Sequence, residues 1–133
     1  MATIFEKLNL KDHKEMLVLD APASFEPELA RLKDITVYRS LAAAAEIGFS
    51  LAFVTRKSEV DKLAGPIAKR AKGDAIVWFA YPKGTSKRYK CDFNRDNGWD
   101  KLVALGFETV RAVAIDDDWS ALRFRRSEYV KAR

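Results

Sequence analysis

Short apolar runs alternate with polar, glycine-punctuated stretches along most of the chain. Met16-Leu17-Val18-Leu19, closed by Asp20-Ala21-Pro22, has the length and flanks of a strand buried on both faces. Ile35-Thr36-Val37-Tyr38 is β-branched and aromatic and predicts a second strand. Residues 49–55 predict a third. Ala75-Ile76-Val77-Trp78-Phe79-Ala80, the most apolar run, predicts a fourth and central one. Helices are expected between them. Ser24 is placed to cap a short helix near Phe25, with Pro27 tolerated in its first turn. Ser40 is placed to cap an alanine-rich helix over residues 41–47 that Gly48 ends. Ser58 is placed to cap a helix whose Val60, Leu63, Ala64, Ile67, Ala68 and Ala71 recur at helical spacing, with Gly73 as its stop. A polar loop over residues 81–95 leads to a helix over residues 98–105, and Gly106 stops it. Two closing strands, residues 109–115 and 121–125, are joined by a connector too short for a crossover helix, so they must pair antiparallel.

Strands alternating with helices imply right-handed βαβ units. The predicted fold is α/β, a three-layer Rossmann-like sandwich with a mostly parallel six-stranded sheet, in a single domain over residues 1–133. No repeat or linker divides the chain.

Composition narrows the compartment more than the function. The chain has 133 residues, 48% hydrophobic and 32% charged, which suits an ordinary folded domain. Its formal charge of +5 permits phosphate-bearing partners without requiring them. Cys91 is the only cysteine, so an intrachain disulfide and a cysteine zinc site are both excluded. A lone thiol fits a reducing compartment, and the expected location is cytoplasmic. Residues 1–7 lack the apolar core of a signal peptide, and no run approaches the roughly 20 apolar residues of a membrane span. No membrane partner is expected.

Several segments resemble a known family. Leu17-Val18-Leu19-Asp20-Ala21-Pro22, Trp78-Phe79-Ala80-Tyr81-Pro82-Lys83-Gly84-Thr85-Ser86 and Ala114-Ile115-Asp116-Asp117-Asp118-Trp119-Ser120-Ala121-Leu122-Arg123-Phe124 are similar to the bacterial domain-of-unknown-function family 3052. More distantly, the element order resembles the class I methyltransferase core with one strand–helix unit missing. The resemblance implies a Rossmann-like fold and carries no activity. By the same analogy the expected strand order is 2-1-3-4-6-5, with its switch point between strands one and three. In methyltransferases the turn after the first strand is glycine-rich, and an acid at the end of the second strand holds the ribose hydroxyls. Here that turn reads Ala21-Pro22-Ala23-Ser24-Phe25, and the second strand ends in Tyr38-Arg39. Both departures count against S-adenosylmethionine and against NAD, so no cofactor is expected.

Ligands of open α/β sheets sit outside the carboxyl ends of the strands. The residues expected at that rim are Asp20, Ser24, Arg39, Thr55, Arg56, Lys57, Tyr81, Lys83 and Asp116 to Asp118. Tyr81-Pro82-Lys83-Gly84-Thr85-Ser86 is the strongest local candidate: a point charge, a tight turn and two hydroxyls suit a phosphate, carboxylate or sulfate. Its spacing is not that of a Walker loop. The expected anion-binding set is Lys83, Thr85, Ser86 and Arg56, with Asp20, Ser24, Arg39, Tyr81, Asp116 and Asp118 shaping the pocket. The basic continuation over residues 87–95, interleaved with Tyr89 and Phe93, offers a weaker nucleic-acid reading. Successive aspartates rarely aim at one ion, so Asp116-Asp117-Asp118 is read as a hairpin turn and no metal site is expected. His13 falls at the amino end of the first strand, away from the rim, and is read as a surface residue. Cys91 is read as a spectator thiol, although neighbouring Arg88 and Lys90 would favour its thiolate.

The sequence therefore assigns no catalytic residue. It supports a non-catalytic Rossmann-like domain that binds an anionic small molecule or a protein partner at the carboxyl rim. A degenerate methyltransferase-like enzyme and a nucleic-acid-binding accessory protein are the alternatives. Oligomeric state is not legible.

Overall fold

The computed structural model describes residues 4–11, 13–93 and 97–130. Its six strands form one sheet: β1 (Glu15–Leu19), β2 (Thr36–Tyr38), β3 (Ile47–Phe53), β4 (Ala71–Pro82), β5 (Phe107–Ala114) and β6 (Trp119–Arg126). The spatial order is β2-β1-β3-β4-β6-β5. β2, β1, β3 and β4 run parallel, while β6 lies antiparallel to both β4 and β5. Fold class, strand order and closing hairpin are those expected from the sequence.

Both faces are covered, which explains why the inner strands are apolar without alternation. Leu17, Leu19, Ala52, Val77 and Phe79 pack on one side with Val60, Ala64 and Ile67 of α3 (Lys57–Arg70) and Leu102 of α4 (Asp100–Ala104). Met16, Val18, Leu51, Phe53 and Trp78 pack on the other, beneath Phe5 of α1 (Ile4–Lys7) and Leu29 of α2 (Glu26–Ala30). Trp78 is fully buried, and its indole Nε1–H donates to the Leu8 carbonyl at 2.8 Å. That bond closes the segment after α1 onto the sheet centre. A turn of helix Ser127–Val130 (α5) ends the described chain.

The helix expected over residues 41–47 is corrected to a single 3-10 turn, Leu41–Ala43. β3 already begins at Ile47, so Gly48 lies inside a strand. Alanine favours helix locally, but Ile47 and Phe49 gain more by burial in the sheet. Arg70 then fixes the turn, donating from Nε to the carbonyls of Leu41 and Ala44, both at 3.0 Å.

Three expected caps are also corrected. Ser24 lies within the 3-10 turn Ala23–Phe25, and Ser40 makes no capping bond. Helix α3 starts one residue before Ser58, and its first turn is closed by the Glu59 carboxylate instead. It accepts from the backbone N–H of Thr55 at 2.7 Å and of Arg56 at 3.0 Å. At the other end, Ala71 pairs with Ile47, so sheet pairing rather than Gly73 stops α3. Gly73 sits in the irregular start of β4 with φ +55°.

Candidate functional site

The carboxyl rim is assembled from five strand ends. β1, β3 and β4 finish there in parallel, and β2 joins them at Tyr38. The pairing of Pro82 with Trp119 brings the β5–β6 turn to the same edge. The rim residues expected from the sequence thus share one edge of the sheet, but they do not converge on one point.

On the β1–β2 side, Asp20 is exposed and holds φ +56°, the turn that releases the chain from β1. Ser24 is exposed, and with Phe25, Glu28 and Asp116 it lines a depression of about 270 Å³. Arg39 is committed to Glu26 by two parallel bonds, 2.8 and 2.7 Å. This fork holds the Glu26 carboxyl below the usual carboxylate range. Tyr38 donates its hydroxyl to Glu15, which raises its own pKa. Phe25 lies 2% exposed in the turn after β1, its ring 5.1 Å from Phe53 and 5.7 Å from Phe5.

On the β4 side, the loop that leaves Pro82 is tied down at both ends. The Lys83 N–H donates to the Asp118 carbonyl at 2.8 Å, and Ser86 Oγ donates to Asp118 Oδ1 at 2.9 Å. Ser86 Oγ also accepts from the N–H of Tyr89 at 3.2 Å and of Arg88 at 3.3 Å. Ten residues after Pro82, Asp92 Oδ1 accepts from the Lys57 N–H at 2.7 Å. The amino end of α3, a favourable place for an anion, therefore holds the chain's own carboxylate.

Three adjoining depressions follow this loop. One of about 390 Å³ is lined by Tyr81, Lys83, Gly84, Ser86, Lys90 and Phe93, among others. A second, about 510 Å³, lies between Thr85, Lys87, Arg88 and the three hairpin aspartates. A third, about 440 Å³, lies between Thr55, Arg56, Arg88, Tyr89 and Asp92. Lys83 and Ser86 thus share one depression, Thr85 lines the next and Arg56 the third. Tyr81 belongs to β4, not to the loop; buried at 7% exposure, it packs against Phe93 and Trp99 as an apolar floor.

The electrostatics differ between the two sides. Among the described residues, Arg56, Lys83, Lys87, Arg88 and Lys90 have no carboxylate within 4.0 Å. Lys57, by contrast, is paired with Asp61 at 3.0 Å and Asp100 at 3.4 Å, and both raise its pKa. Arg95, the last cation of the expected basic stretch, lies outside the described residues, as do residues 1–3 of the amino-terminal reading.

The hairpin aspartates form a turn. Asp116 Oδ1 accepts from the N–H of Asp118 and of Trp119, both at 2.8 Å. Their links to the loop after β4 are the Ser86 hydroxyl and the Lys83 N–H, both on Asp118. Trp119 packs over the sheet end between Phe53, at 5.2 Å, and Tyr89, at 4.9 Å. Cys91 is half-buried, and burial pushes its thiol pKa up against the pull of a backbone bond. It is held as a thiol. His13 packs edge-on against Phe49 before β1. Sequence reasoning put Lys90 in the basic stretch but did not place it beside Lys83 in one depression, and it missed the anchoring by Asp92. The alternation of basic and aromatic residues from Lys87 to Phe93 was the signal for Lys90.

The comparisons with known proteins agree on the architecture. A methyltransferase from Aquifex aeolicus that depends on S-adenosylmethionine superposes with a TM-score of 0.63 at 16% identity, over 92% of this chain and 87% of that one. The N-methyltransferase NodS of Bradyrhizobium japonicum WM9 gives 0.57 at 13% identity, over 92% of each chain. Magnesium protoporphyrin IX methyltransferase (ChlM) from Synechocystis PCC 6803 gives 0.56 at 12% identity, over 92% and 78%. The fold is methyltransferase-like. No family model matches the chain, and no curated protein matches it.

The residues at the usual cofactor position do not fit S-adenosylmethionine. The turn after β1 carries Pro22, which has no N–H, and from Ala21 to Phe25 it holds no glycine to let backbone approach a ligand, while Phe25 is buried in the core. At the end of β2 stands the Arg39–Glu26 fork rather than an acid free to hold ribose hydroxyls.

Proposed function

We propose that this chain is a small Rossmann-like domain, without a catalytic role, that binds an anion carrying an apolar body at the β4 side of its carboxyl rim. One observation carries this reading: cations with no carboxylate partner among the described residues border a depression whose floor is aromatic. Lys83 and Lys90 meet the anionic head, and Tyr81, Tyr89 and Phe93 take the apolar body. Arg56 and Thr85 border the adjoining depressions and steer the anion towards the rim. Ser86 acts indirectly, since its hydroxyl already holds the loop to Asp118. Asp20, Ser24 and Arg39 shape the opposite side of the rim.

The test is a thermal-shift panel containing phosphate, sulfate, phenyl phosphate, phenylacetate, S-adenosylmethionine and NAD. A ligand at a hundredfold excess over its Kd adds about 2.7 kcal/mol of stability. For a domain of this size the midpoint then rises by roughly 10 °C. The aromatic anions are expected to act more strongly than the bare ones. A panel in which neither aromatic anion shifts the midpoint contradicts the proposal.

A second reading, a methyltransferase-like enzyme with an altered cofactor site, is supported by the shared fold. It requires a shift with S-adenosylmethionine despite Phe25 and Arg39. Membership of family 3052 rests on the three segments quoted above. Among the described residues no helix is long and apolar enough to cross a membrane. We keep the cytoplasm as the proposed location on the strength of the lone thiol.

A further inference from the structure

A second cationic feature lies on the sheet itself, about four residues down β4 from the rim. In β5 the register advances from Thr109 opposite Phe124 to Arg111 opposite Arg123, two residues against one. Val110 is the extra residue of a β-bulge. Its effect is to change the side on which the next residue emerges. Without it, Arg111 would share the side of Thr109; with it, Arg111 joins Arg123 on the side of Trp119 and Ala121. Directly opposite positions bring Cβ atoms about 4.5–5.5 Å apart, and like charges there repel.

Arg123 is the less solvated partner. It is half-buried beside Trp78, its register neighbour on β4, and its Nε is buried with no hydrogen-bond partner among the described residues. Burial and the neighbouring Arg125 and Arg111 all disfavour its charge. The carboxylate in reach, Asp74, is already taken by Arg125 through bonds of 2.8 and 2.7 Å. Glu108 emerges on the same side but opposite Arg125, and it forms no ion pair among the described residues.

We propose that Arg111 and Arg123 together form a phosphate-binding site, in which one phosphate group bridges the two guanidinium forks. A carboxylate presents two oxygens in one plane, and at Asp74 each already accepts from Arg125. Two forks on directly opposite residues are best bridged by an anion with more than two oxygens in more than one plane, and the tetrahedral phosphate group provides them. The group comes either from a small phosphate ligand or from the backbone of a nucleic acid. This site is independent of the rim and of Lys83.

The experiment follows the arginine Nε–H signals in nitrogen-15 spectra of the Lys83→Ala protein, in which anion binding at the rim is weakened. Arg111→Gln and Arg123→Gln assign the signals. Inorganic phosphate is expected to shift both, and the exposed Arg111→Gln change is expected to abolish the response at Arg123. Signals that ignore phosphate, or an Arg123 response that survives Arg111→Gln, overturn the site. A parallel arm titrates a short single-stranded oligonucleotide. Binding that falls about tenfold in Arg111→Gln and steeply with salt assigns the phosphate to nucleic acid. A response to inorganic phosphate alone assigns it to a small ligand. If Arg123→Gln fails to fold, Arg111→Gln still decides the question.

Discussion

Ser86 donates its hydroxyl to the Asp118 carboxylate at 2.9 Å, joining the loop after β4 to a hairpin turn 32 residues later in the chain. The same oxygen receives two backbone N–H groups, so it organises the loop as well as anchoring it. Ser86→Ala removes all three bonds from partly solvated groups. The expected cost is about 1 kcal/mol, read as a fall in midpoint of roughly 4 °C. Affinity for the rim anion falls with it, because Lys83 and Lys90 lose a shared frame. An unchanged midpoint and affinity would show that the loop needs no such anchor.

Asp74 gives a pH signature. The Arg125 fork holds its carboxyl below the ordinary aspartate range, so the folded state keeps the charged form more strongly than the unfolded chain does. A depressed carboxylate contributes its stability above the unfolded pKa and loses it as pH falls through the folded one. The stability gap between the native protein and Asp74→Asn should therefore be constant from about pH 5 to 7 and shrink below about pH 4. Urea unfolding across that range reads it. A gap that widens in acid would mean that Asp74 is not held as the charged partner.

Phe25 links stability to the missing cofactor site. It is 2% exposed and packs on Phe5 and Phe53. Phe25→Ala should cost about 3–5 kcal/mol. Opening that space should not create S-adenosylmethionine binding, because Pro22 and the Arg39–Glu26 fork remain. Calorimetric titration of the variant is the check, and measurable binding would restore the enzyme reading.

The fold was legible because the strands are either continuously apolar or β-branched and are separated by strong turn residues. The helix over residues 41–47 misled, since four alanines favour helix in isolation while Ile47 and Phe49 are claimed by pairing with β4. The helix of Ile4–Lys7 escaped because four residues carry little periodic signal. At the site, the position of Lys83 at the rim followed from the apolar run that ends at Ala80. What holds it there did not. The Ser86–Asp118 and Asp92–Lys57 bonds span 32 and 35 residues, and nothing local marks such partners. The Val110 bulge was equally hidden, because a one-residue change of register leaves no mark on composition.

The most direct measurement is calorimetric titration of the best-binding aromatic anion of the panel into the native protein and into Lys83→Ala. The backbone N–H of residue 83 still reaches the Asp118 carbonyl in the variant, so its melting midpoint should stay unchanged. The account predicts a loss of affinity of about tenfold or more from removing one charge-assisted contact. Equal affinity in the two proteins would contradict the assignment of the rim to anion binding at Lys83.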